Sequence, residues 1–193
     1  MSARARPARW SAPVIVLHWS AGLITLALVA LGLAMVHVPF GAATKFDLYQ
    51  LHKSLGFVAL VLSAAHSVAR LAAAAPIDRA TACWERILAT AVQALLYALS
   101  FAAILAGWLL VSTSPLPIPT RVFNLFAIPD IAPPNAMLFQ AATLAHKGSA
   151  WAIAGLVALH AAGAAKHHFV NRDDVLARML PRPPTVARRA KAQ

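Results

Sequence analysis

Long apolar runs, separated by short polar breaks that contain proline or glycine, organise this chain. Four of them reach the roughly 20 residues that a helix needs to cross a bilayer: residues 13–38, 51–75, 86–111 and 142–166. Pro39-Phe40-Gly41 stops the first and Pro76 closes the second, while Pro115, Pro117 and Pro119 follow the third. The pattern predicts an all-α fold, a four-helix transmembrane bundle. It divides the chain into a basic segment at residues 1–12, one membrane domain over residues 13–180, and a basic, disordered tail over residues 181–193. The connection over residues 112–141 is longer than a simple connector, and a short helix near residues 135–143 is expected to cap that end of the bundle.

The first run follows Arg4, Arg6 and Arg9 and so carries the charge pattern of a secretory signal. Its apolar core exceeds the about 7–15 residues of such a signal, and it holds His18 and Trp19. It therefore reads as a retained span.

Composition agrees with a membrane protein. Hydrophobic residues make up 60% of the chain and charged residues 12%, too apolar for an ordinary soluble domain. The net charge of +11 does not point to nucleic acid, because the basic residues lie in the tails and between the apolar runs and no recognised binding motif accompanies them. Their placement sets an orientation instead. If the N-terminus faces the cytoplasm, thirteen of the 17 lysines and arginines fall on that side, leaving Lys45, Lys53, Arg121 and Lys147 outside. Both termini are expected to be cytoplasmic. Cys83 is the only cysteine, which excludes disulfides, zinc-cysteine sites and cysteine-ligated clusters within one chain, and the lack of a Cys-x-x-Cys-His motif argues against covalent haem attachment.

The histidines carry the chemistry. His52 and His66 are 14 residues apart, as are His146 and His160. Fourteen helical residues rise roughly 21 Å and return to within roughly 40° of the starting face. Each run thus offers an imidazole near each of its ends, on nearly one face. Ionisable side chains inside a membrane are costly and point to function. Depth sorts six of them into two levels: His18, His66 and His160 towards the cytoplasm, and His37, His52 and His146 towards the outside. Neutral imidazole binds haem iron well, and burial favours the neutral form. Two levels of paired imidazoles predict two haems and a path for electrons across the bilayer. Each level has one candidate more than six-coordinate iron needs. A histidine in a membrane helix can also simply bond a neighbouring carbonyl. That is the plainer reading of His37, beside the Pro39 break, whereas His167 and His168 sit beside Lys166 at an interface.

Other residues have supporting roles. Trp10, Trp19, Trp84, Trp108 and Trp151 lie mostly near span ends, as an aromatic belt requires. Gly22, Gly32, Gly56, Gly107, Gly155 and Gly163 permit close packing of helices or of a porphyrin. Arg70 stands one turn beyond His66, where it can pair with a haem propionate or snorkel to the interface. Lys53 and Lys147 each follow an outer histidine, and with Lys45 they can neutralise propionates, draw in small anions, or serve as ordinary interfacial charge.

Several segments, taken in order, resemble the bacterial cytochrome b561 family of four-helix dihaem membrane proteins. They are Leu17-His18-Trp19, Leu51-His52-Lys53-Ser54-Leu55-Gly56 and Ile131-Ala132-Pro133-Pro134-Asn135. The strongest stretch runs from His146 through His160 to Lys166-His167-His168-Phe169, then Asn171-Arg172-Asp173-Asp174 and Met179-Leu180-Pro181. The resemblance implies that His18 and His160 hold a cytoplasmic-side haem b and that His52 and His146 hold an outer haem b, both non-covalent. Arg70 matches a basic position of the family and, with His66, would then contact a propionate; Lys53 and Lys147 join them as candidate cofactor contacts from their place beside the outer histidines. One departure concerns His66, where the family commonly has arginine. The resemblance further implies a protein of the bacterial inner membrane that passes electrons to quinone, with ubiquinone as acceptor. It suggests a superoxide:quinone oxidoreductase working on the outer face. The alternative is a non-catalytic subunit linking quinol to a separate redox protein. No side chain is assigned acid–base catalysis.

Overall fold

The computed structural model describes residues 9–76, 82–116 and 118–181. Arg4, Arg6, Arg79 and the tail from residue 182 onward, including Arg182, Arg188, Arg189 and Lys191, lie outside the described residues. Four long helices dominate: α1 (Ala12–His37), α2 (Ala42–Ala72), α3 (Cys83–Ser112) and α4 (Ala136–Lys166). Each is long and apolar enough to span a membrane. Large apolar side chains such as Leu23, Leu26, Val61, Val68, Ile87, Leu105, Leu144 and Trp151 point outward, as lipid rather than water demands.

The ends of these helices follow from local chemistry. Pro13 sits in the first turn of α1, where its missing N–H costs nothing. The backbone turns extended at Val38, ahead of Pro39. Asn135 caps α4: its side-chain oxygen accepts the Leu138 N–H at 3.0 Å. That cap corrects one expectation. No separate short helix forms near residues 135–143, because nothing after Asn135 breaks the helix and those residues are the first turns of α4. Helices α2 and α4 also start well before their apolar runs, since hydropathy marks the lipid-spanning part and helix geometry continues into the polar flanks. Within the spans, hydroxyls turn back onto their own helix. Ser67 donates to Ser63 O at 2.7 Å and Ser100 to Leu96 O at 2.7 Å, which satisfies these two hydroxyls within their own helices.

The connection from α3 to α4 carries a small antiparallel hairpin, β1 (Thr120–Val122) and β2 (Phe126–Ile128). Phe123 and Asn124 turn it with φ of 47° and 59°, a left-handed conformation that asparagine tolerates and phenylalanine adopts less readily. The hairpin docks on α2 through Ser54, which is 2% exposed. The Ser54 hydroxyl accepts the Phe123 N–H at 3.0 Å, and it lies 2.8 Å from Gln50 O and 3.2 Å from Arg121 O as donor. Trp108 Nε1 donates to Pro129 O at 3.1 Å, and the Ile131 N–H donates to Ser112 Oγ at 3.1 Å. The connection is thereby tied to α2 and α3 at one end of the bundle, the hairpin end.

At the opposite, terminal end, α4 passes into a π-helical turn, His167–Asn171, which Arg172 closes in the left-handed conformation. Residues 172–181 then cross back to α1. Trp19 Nε1 donates to Met179 O at 2.7 Å, Trp10 N to Arg178 O at 3.4 Å, and the Arg9 guanidinium to Leu180 O. The turn is fastened by His167 Nδ1 and Asp173 Oδ2, 2.6 Å apart. Lys166 pairs with Glu85 at the start of α3.

Two outcomes are expected from these contacts. Ser54→Ala strands the Phe123 N–H without its acceptor, which costs about 1–3 kcal/mol and lowers the thermal midpoint in detergent. The second concerns acid. Burial raises the Asp173 carboxyl, but hydrogen bonds from His167 and the Val175 N–H, with the charges of His167 and Arg178, outweigh it and hold the group below its ordinary value. A depressed carboxylate stabilises the fold above its unfolded value of about 3.9 and loses that contribution as pH falls through the folded value. Hydrogen exchange over residues 172–180, corrected for intrinsic rate, should stay protected from pH 7 to about pH 5 and lose protection below about pH 4.

Candidate metal centres

Helices α1 and α2 pack along each other, as do α3 and α4, whereas α1 and α4 touch only slightly. Few side chains are buried in any span: Val14, Ile15 and Met35 in α1, Ser54 and Ala59 in α2, Val92, Ala103 and Ser112 in α3, Ala142 and Ile153 in α4. The two helix pairs meet along α2 and α3, where Phe57 packs edge-on against Trp108 with centroids 5.2 Å apart and His66 lies against Tyr97, and few side chains are buried between them. Imidazoles face one another across that seam at two heights.

Near the hairpin end, His52 of α2 faces His146 of α4, with ring centroids 6.0 Å apart and planes at 82°. Towards the terminal end, His18 of α1 faces His160 of α4 at 6.0 Å and 61°. Metal–imidazole bonds of about 2.0–2.1 Å, with about 1.1 Å from each nitrogen to its ring centre, place two imidazoles on one metal about 6 Å apart. Both pairs meet that separation. Along α4, the 14 residues between His146 and His160 put the two heights roughly 21 Å apart.

The orientation of His146 is fixed by its second nitrogen. His146 Nδ1 lies 2.8 Å from Ala103 O of α3, so Nδ1–H donates to that carbonyl and Nε2 is left to bind a metal, the usual arrangement of a ligating histidine. Gly107 makes the approach possible. A Cβ at Gly107 would stand 3.0 Å from His146 Nδ1 and 3.1 Å from Cε1. Against His52, a Cβ at Gly32 would lie 3.6 Å from Cε1, an ordinary contact. His52 Nδ1 is buried and has no hydrogen-bond partner among the described residues. Such an orphaned polar atom is expensive, and here it belongs to a ring paired at metal-sharing distance.

These features suit haem. Among the described residues, no three His, Cys, Asp or Glu side chains gather to hold a bare ion. Two imidazoles suffice when a porphyrin provides the other four nitrogens, and Gly107 leaves the space in which the His146 ring is held.

The third imidazole of the terminal level is His66. Its ring centroid is 5.6 Å from that of His18, so distance alone does not separate it from His160. It has a partner of its own, however: the Tyr97 hydroxyl of α3 lies 3.2 Å from His66 Nδ1 and 3.5 Å from Nε2. Sequence reasoning missed Tyr97. The available signal was a phenol in the middle of an apolar helix, a hydroxyl that needs a partner when buried. It also missed the Ala103 carbonyl and the fastening role of Ser54.

The remaining candidates fall as follows. Arg70 stacks on Trp10, its Cζ 4.1 Å from the ring centroid, a cation–π contact at the terminal end. Lys53 is half-buried and feels the Asp130 carboxylate; Lys147 is exposed. His37 is exposed at the end of α1, and His168 is exposed and packs edge-on against Phe169.

Comparison with known proteins gives a consistent answer. The model of one family, described as prokaryotic cytochrome b561, matches residues 9–182. The chain is also 31% identical over 182 residues to "Cytochrome b561 homolog 2" of Escherichia coli (strain K12), covering 93% of this chain and 95% of that protein. Four membrane-length helices, paired imidazoles at their seam and a family match over nearly the whole length agree. The chain belongs to the prokaryotic cytochrome b561 family, membrane cytochromes of the b type that serve electron transfer.

Proposed function

We propose that the chain is a dihaem electron carrier that takes electrons from superoxide at the hairpin end and delivers them to a membrane quinone. His52 and His146 hold one haem b and His18 and His160 the other. The observation that carries this reading is the pair of imidazole couples, each at 6.0 Å, at two heights of one bundle. When bound, haem iron supplies one-electron chemistry at a potential set by axial ligands and burial. The residues of the chain do the rest. They clamp the group from two helix pairs, exclude water with apolar neighbours, and fix the His146 tautomer through Ala103 O.

The balance is simple. Two superoxide anions give up one electron each and leave as dioxygen, and one quinone takes both electrons with two protons. No acid or base is required at the superoxide end. Lys45, Lys53, Arg121 and Lys147 lie towards that end and favour the approach of an anion, although Asp130 offsets part of the Lys53 charge. The basic residues Arg9, Arg70, Arg86, Lys166, Arg172 and Arg178 lie towards the terminal end, which supports cytoplasmic termini in a bacterial inner membrane. A groove of about 570 Å³ between the start of α1 and the end of α2 opens there, lined by Arg9, Trp10, Pro13, Ala69 and Ala73 among others. Arg9, whose guanidinium also donates to Leu180 O, places a positive charge in the lining of this groove, where a quinone carbonyl would meet it.

Purified chain with a ubiquinone analogue should consume superoxide faster than spontaneous dismutation, and the rate should fall as salt screens the lysines. An intact haem spectrum with no quinone-dependent consumption would reject this role and favour a subunit that links quinol to a separate redox protein.

Variants test the ligand assignment. His52→Ala or His146→Ala should drop haem content from two per chain to one, measured as pyridine haemochrome. Gly107→Ala should lower occupancy at the same level, because its Cβ falls 3.0 Å from His146 Nδ1, whereas Gly32→Ala, at 3.6 Å from His52, should leave it. Equal haem content in Gly107→Ala and wild type would show that the space at Gly107 does not matter.

A further inference from the structure

The terminal level holds three imidazoles where iron takes two. His18 lies 5.6 Å from His66 and 6.0 Å from His160, centroid to centroid, and both separations are close to the about 6 Å that a shared metal requires. What distinguishes the two is the company of the ring. The His66 ring lies against Tyr97, with centroids 5.4 Å apart and planes tilted by 35°. The phenol oxygen is within 3.5 Å of both ring nitrogens and closer to Nδ1, at 3.2 Å. A half-buried phenol needs an acceptor for its proton, and His66 is the one the described residues offer; donation to Nδ1 occupies that lone pair and leaves the proton of the neutral ring on Nε2, so that, unlike His146, His66 has no nitrogen free for a metal. Among the described residues, no hydrogen bond engages the His160 ring, whose ring contact is with His18.

We infer that Tyr97 is a positioning residue that selects His160 as the axial partner of His18, and that His66, held back by the Tyr97 hydroxyl, is a reserve ligand that binds the iron when His160 is lost. The inference rests on the proposed haem at this level. Ligation by His66 needs its ring to swing away from Tyr97, and α3, which carries Tyr97, supplies none of the proposed ligands. Removing the hydroxyl takes away one hydrogen bond and should shift the ratio of His160-bound to His66-bound haem about fivefold towards His66.

The test reads haem stoichiometry and the low-spin electron paramagnetic resonance spectrum of the oxidised full-length protein. His160→Ala is expected to keep two haems per chain, with the terminal-level signal moved, and His160→Ala/His66→Phe to keep one. Tyr97→Phe is expected to keep two haems and to show a second low-spin signal that disappears in Tyr97→Phe/His66→Phe. One haem in His160→Ala, with two in wild type, overturns the reserve role. A Tyr97→Phe spectrum identical to wild type overturns the selecting role, even if His160→Ala fails to fold. Loss of a haem in His66→Phe alone overturns the inference by making His66 the ordinary ligand. Wild-type protein with a single haem marks a different failure, that of the dihaem reading beneath it.

Discussion

Two imidazoles can share one metal only if their rings stand about 6 Å apart with nitrogens facing. In the proposed dihaem reading, that requirement sets the spacing of α4 from α1 and α2 at two heights. The couples His52–His146 and His18–His160 each bridge from the α1–α2 pair to α4. Few side chains are fully buried between the pairs, whose direct contact runs along α2 and α3. In lipid the usual hydrophobic drive between helices is weak, so bonds from metal to both pairs would contribute directly to holding them in register. Second-sphere details serve the same constraint. Ala103 O sets the His146 tautomer, and Gly107 leaves the room for it to do so.

The two ends of the bundle hold the helices at the separation the seam requires. At one end Ser54 binds the β1–β2 hairpin, and the Trp108 and Ser112 side chains bind the same connection to α3. At the other, residues 172–181 return from α4 to the start of α1 and meet Trp10, Trp19 and Arg9 through backbone carbonyls. Trp19 is next to His18, so this return segment lies beside a proposed ligand. Both closures use hydrogen bonds, which keep their strength where water is scarce.

Much of this was legible in the sequence. Apolar runs gave the four helices, and Pro39-Phe40-Gly41 marks the break between α1 and α2. The 14-residue spacings predicted two imidazole levels; the structure brings His52 to His146 and both His66 and His160 to His18, and leaves His37 exposed at the end of α1. The helix starts were less legible because Asn135 caps α4 ahead of its apolar run. The hairpin was missed because its turn depends on left-handed Phe123 and Asn124, without the glycine that usually announces such a turn. The choice between His66 and His160 turns on Tyr97, which is 31 residues from His66 and on another helix. Spacing along one helix carries no record of a contact of that kind. Arg70 was read as a propionate partner or an interfacial charge, and its stacking on Trp10 likewise needed the fold.

The account stands or falls on the ligation of iron by histidine at both heights. The most direct measurement is the haem-to-chain ratio of the purified wild-type protein, with the spin state of each iron read by low-temperature electron paramagnetic resonance. Two haem b per chain, both low-spin and six-coordinate, is the predicted result. A single haem, or any high-spin iron lacking a second imidazole, would contradict it.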